Sequence, residues 1–117
     1  MTVKEIADIL GAEILSCENL ANETEVHSAF GSDMMSDVLA FVKDQGLLLT
    51  GLVNPQVVRT AEMMDILCIA FVRGKRPDQM MIDLANQKGI ILLTTTERMY
   101  PACGKLFMAG LESGKTA

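Results

Sequence analysis

Apolar residues recur along this chain in two rhythms. In "TVKEIADIL" Val3, Ile6, Ile9 and Leu10 fall three and four apart, on one face of a helix that Gly11 stops. "AEILS" and "VHSAFG" are short enough to be strands, with the polar stretch "ENLANETE" between them. In "SDMMSDVLAFVKDQG", Met34, Met35, Val38, Leu39 and Val42 return to helical spacing. Ser32 or Asp33 serves as the cap there, and Gly46 as the stop.

The rest of the chain alternates more regularly. "LLLTG", "ILCIAFV" and "IILLTTT" are continuous apolar runs, the pattern of strands buried on both faces. Between them, "NPQVVRTAEMMD" opens with Asn54 as cap and Pro55 at the first helical position, where a missing N–H costs nothing. "PDQMMIDLANQKG" repeats that proline-started, glycine-stopped pattern from Pro77 to Gly89. "TERMYPACGKLFMAGLESG" predicts a closing helix that Pro101 kinks or delays. Strand and helix in alternation predict an α/β fold, a mainly parallel sheet covered by helices on both faces in three layers.

Composition adds to this picture. With 117 residues, half of them hydrophobic, the chain makes one domain over residues 1–112, and 113–117 read as a frayed tail. A net charge of −5 lacks the basic footprint of a nucleic-acid binder. No apolar run approaches the roughly 20 residues of a membrane span, and the opening "MTVKEIADIL" reads as an amphipathic helix, not as a signal sequence. Cys17, Cys68 and Cys103 have no metal-binding spacing, so a reduced, cytoplasmic protein without metal or cofactor is expected. Nine methionines include the pairs 34–35, 63–64 and 80–81, compatible with a subunit contact.

Ligands of open parallel sheets sit beyond the strand carboxyl ends, near a topological switch point. Here those ends carry Ser32, Thr50, Gly51, Asn54, Arg73, Gly74, Lys75 and Thr95, a set able to hold a phosphate or carboxylate through charge and helix N-terminal N–H groups. The same residue types also cap helices and form turns, and both roles stay open. The terminal "GLESGKTA" imitates a phosphate-binding loop but has three residues, not four, between Gly110 and Gly114. Asp44, Asp65, Asp78 and Glu97 form no pair by spacing, and the lone His27, beside Ser28, lacks a third partner. No catalytic group stands out.

The segment "LLLTGLVNPQVVRTAEMMDILCIAFVRGKRPDQMMIDLANQKGIILLTTTERM" resembles the DRTGG domain and the related N-terminal domain of HPr kinase/phosphorylase. The likeness rests on a strand ending in Arg73-Gly74, on Pro77 opening a helix, and on the glycine, apolar strand and threonines of "KGIILLTTT". It spans roughly residues 26–112, and the family's namesake residues do not occur as a contiguous string. The resemblance implies a three-layer domain without catalysis of its own. Such domains occur beside CBS domains in regulated pyrophosphatases and in phosphotransacetylases, as regulatory or dimer-forming modules. A homodimer acting through a partner protein is therefore expected, with a sensor of a small anionic ligand or nucleotide as the alternative.

Overall fold

Helix boundaries follow from where backbone donors and acceptors find partners. In the computed structural model, which describes residues 1–42 and 46–113, Thr2 caps helix α1 (Val3–Leu10) in a reciprocal capping box with Glu5, and Gly11 ends it in the left-handed conformation. The chain continues through β1 (Glu13–Ile14), a 3-10 turn (Glu18–Leu20), β2 (Ala29–Gly31), α2 (Met35–Phe41) and β3 (Leu47–Thr50). Then come α3 (Pro55–Met63), β4 (Cys68–Phe71), α4 (Gln79–Lys88), β5 (Ile91–Thr94) and α5 (Met99–Met108).

Some boundaries differ from the sequence expectation. Met34, not Ser32 or Asp33, stands at the N-cap of α2, because Asp33 is drawn away to other partners. That helix ends at Phe41, well before Gly46, and Val42 is already extended. Asp44 lies outside the described residues, as do 114–117, on which most of the tail and half of the false phosphate loop fall. Pro77 precedes α4 instead of opening it, since the Asp78 carboxylate accepts the Met81 N–H and so fixes the start there. Pro101 sits in the first turn of α5, where no intrahelical donor is lost. The first such bond runs from Ala102 N–H to the Arg98 carbonyl, and the proline is absorbed.

The strands order as β1-β5-β4-β3-β2, with β2 to β5 parallel and β1 antiparallel at one edge. At that edge, the buried Ser16 hydroxyl bridges the Ile90 carbonyl and the Leu92 N–H and so extends the pairing. Successive side chains of a strand face opposite ways. Leu47, Leu49, Ala70 and Leu93 meet α1 and α5, whereas Leu48, Ile69, Phe71 and Leu92 meet α2, α3 and α4. The mainly parallel, three-layer α/β/α arrangement is as expected. Neighbouring parallel strands are consecutive in the chain, so α2, α3 and α4 share one face and two helices remain for the other. No helix among the described residues is long and apolar enough to cross a membrane.

Candidate functional site at the strand carboxyl ends

The connection after β4 leads to α4 on one face, and that after β5 leads to α5 on the other. This divergence sets a potential crevice between the two strand ends. The loops close it with their own hydrogen bonds. Arg73 N–H donates to the Glu97 carbonyl at 2.7 Å, Gly74 N–H to the Thr95 carbonyl at 2.8 Å, and the Thr94 hydroxyl to the Lys75 carbonyl at 2.6 Å. Lys75 N–H returns to the Val72 carbonyl across a turn in which Arg73 and Gly74 both have positive φ, 61° and 71°. Type I′ turns require that pair of angles. Glycine adopts it freely, while arginine does so at a cost.

The centre of the rim is an acid. Asp33 Oδ1 accepts the Gly51 N–H at 2.6 Å and the Thr50 hydroxyl at 3.2 Å, and its Oδ2 lies 3.6 Å from the Arg73 guanidinium. Sequence reasoning treated Asp33 as a helix cap and so missed it; its place beside Ser32 at a strand end was the available signal. A Cβ at Gly51 would meet the Arg73 guanidinium, which would have to move aside. A carboxylate thus occupies the point where these three groups converge.

The remaining candidates separate. Ser32 gives its N–H to the Leu49 carbonyl, and its hydroxyl accepts the Met34 N–H. Thr95 is buried and turned toward α1, where its hydroxyl donates to the Leu10 carbonyl. It is a structural contact and not a rim donor. Asn54 holds the N-cap position of α3 but its side chain caps nothing, and its Oδ1 is buried without a donor among the described residues. Arg76 reaches across to Glu13 on β1 in a two-pronged contact of 3.1 and 3.3 Å. Lys75 is exposed and has no ion-pair partner among the described residues.

Other reactive groups lie apart. His27 is exposed just before β2, while the adjacent Ser28 is buried, so the pair does not share a cleft. Burial raises the thiol pKa of Cys17, Cys68 and Cys103, most strongly in Cys68 within β4. None is activated as a thiolate.

A sequence model of the DRTGG domain matches residues 5–106. No curated protein matches the chain. Among solved structures, the chain is similar to the CBS and DRTGG domains of the regulatory region of Clostridium perfringens pyrophosphatase, complexed with its activator diadenosine tetraphosphate. The likeness has a TM-score of 0.71 at 18% identity, and covers 95% of this chain and 47% of that one. The chain therefore spans about half the length of that regulatory region.

Proposed function

The chain belongs to the DRTGG domain family, and on that premise we propose that it is a regulatory module without turnover of its own, which works as a homodimer through a partner protein in the reducing cell interior. One observation carries the reading: most of the groups at the strand ends, where α/β proteins place their chemistry, are spent on one another. Gly51 N–H, the Thr50 hydroxyl and Arg73 serve Asp33, and the loop N–H groups of Arg73 and Gly74 serve the neighbouring loop. The similar fold in a pyrophosphatase regulatory region adds support.

A second reading rests on the same carboxylate. A site in which Asp33 already lies against Arg73, Gly51 and Thr50 is built to hold an anion, and a phosphate could displace the acid. The unpartnered Asn54 Oδ1 would take a donor from the same ligand. It lies three residues from Gly51, within about 11 Å along the chain. An anion joined to an N–H or O–H donor describes a nucleotide.

Thermal unfolding against nucleotides and phosphorylated metabolites, run alongside assays for their hydrolysis, tests both readings. A regulatory module acting through a partner shows no turnover and no shift. A sensor gains about 2.7 kcal/mol at a hundredfold excess over the dissociation constant, and loses the gain in Arg73→Ala. Reproducible turnover sinks both.

A further inference from the structure

Among the described residues, α1, α3 and α4 set a buried apolar side against a mainly polar outer side, while the short α2 also exposes Leu39 at 44% and Phe41 at 60%. The outward residues include Lys4, Glu5 and Asp8 on α1, Gln56, Arg59 and Glu62 on α3, and Gln79, Asp83 and Asn86 on α4. Helix α5 departs from this. Its inner side, Ala102 and Leu106, is buried against the sheet. Its outer side carries Tyr100 at 89% exposure, Phe107 at 72% and Met108 at 89%, with Pro101 and Gly104 also exposed. At 100° per residue these five positions form one continuous arc. The only charge on the helix, Lys105, lies beside that arc and is held by Glu97 at 2.6 Å.

We propose that this arc of α5 is a self-association surface whose occupant is α5 of a second copy of the chain, which deepens the homodimeric part of the reading above and rests on it. Area is the first argument. A buried aromatic side chain covers about 150–250 Å², so Tyr100, Phe107 and Met108 together offer roughly 400–600 Å² per copy. That is about half or more of the ~800 Å² per partner of a standard interface. The layer that contains α5 also has one helix fewer than the opposite layer. Beside α5, a mainly apolar groove of about 100 Å³ is lined by Ala29 and Gly31 of β2, Cys103 and Phe107 of α5, and one acid, Glu112. Phe107 belongs to both the arc and the groove, so a second helix seated on the arc also covers the groove.

Gly104 is the second argument. It stands in the interior of the helix, where glycine is destabilising relative to alanine. Its φ is not positive, and a Cβ there would touch nothing. The single chain has no use for a glycine at this point. Close approach of another backbone supplies one.

Charge selects the occupant. The chain carries a net −5, so two copies repel over most of their surfaces. The α5 arc has no acid, and two copies meet there with the least repulsion. A two-fold axis at Gly104 makes the contact self-complementary. Residues four before and after the axis then face each other, Tyr100 of one copy against Met108 of the other. Residues three away do likewise, Pro101 against Phe107.

Sedimentation equilibrium from micromolar to millimolar concentration tests this. The wild-type chain forms a dimer, and Tyr100→Asp and Phe107→Asp each raise its dissociation constant by at least about tenfold, as expected of aromatic anchors. Gly104→Ala separates two effects: it raises the Tm of the dilute monomer and weakens association. Met63→Asp, at an exposed methionine on α3, leaves association unchanged. A monomer at millimolar concentration overturns the proposal, as does a dimer indifferent to the α5 variants or equally weakened by Met63→Asp. A monomer that shows no turnover removes this interface but leaves the regulatory reading. A dimer that turns over substrate does the reverse.

Discussion

At the strand carboxyl ends, Asp33 collects the Gly51 N–H, the Thr50 hydroxyl and Arg73, while on α5 Tyr100, Phe107 and Met108 are largely uncovered by the described residues. The first region has the residue types of a binding site, and most of its groups, the Lys75 ammonium and Asn54 Oδ1 apart, are already partnered within the chain. The second has no chemistry beyond apolar area, and its area is unpartnered. Capacity to bind depends on what remains unsatisfied after folding, not on which residue types are present. A polar group finds partners among its neighbours; an apolar side chain facing water finds them only in another molecule.

The contrast breaks most sharply at the root of α5. Leu106 is buried under that helix, and Leu106→Ala is expected to cost about 2–5 kcal/mol. Urea unfolding measures it. A loss below about 1 kcal/mol would mean that α5 is held to the sheet some other way, and that its outer face is not fixed in place.

Asp33→Ala addresses the other region. It leaves the Gly51 N–H and the Thr50 hydroxyl without their acceptor and frees Arg73. Charged hydrogen bonds are worth about 1.5–3 kcal/mol, and the half-exposed setting of Asp33 puts the loss near the lower end. Phosphate in the buffer should restore more stability to this variant than to the wild type if the rim is an anion seat. Equal responses at matched ionic strength would show that the rim is closed to anions, which sharpens the contrast with α5.

The smallest effect concerns acid. The Glu13 carboxyl lies below its ordinary range because Arg76 donates hydrogen bonds to it and adds its positive charge. A carboxyl with a depressed folded pKa contributes stability above its unfolded value, about pH 4.3. That contribution disappears as pH falls through the folded value. In Glu13→Gln the acid limb of a stability–pH curve should therefore be slightly flatter. An unchanged limb would mean that this exposed pair, which ties the rim to β1, adds nothing.

The element order was legible in the sequence because buried strands demand continuous apolar runs, and stops such as Gly11 and Gly89 act within a few residues. Pro77 misled because its neighbour Asp78 caps more effectively, and Pro101 because its effect depends on its place within the turn. Each methionine pair also divides, with Met35 and Met81 in the core and Met34, Met63 and Met80 outside.

The candidate site was legible only as a set of residue types. Hydrophobic patterning determined, from local spacing alone, that the chain would form an α/β layer structure with Arg73, Gly51 and Thr50 at strand ends. It could not determine that Asp33, 18 residues before Gly51, would occupy the position between them, or that Thr95 would turn inward to Leu10. Nor could it determine which apolar side of α5 the sheet would take. Those outcomes depend on contacts between segments distant in the chain. Spacing along a sequence records which side chains share a face, and only packing decides what that face meets.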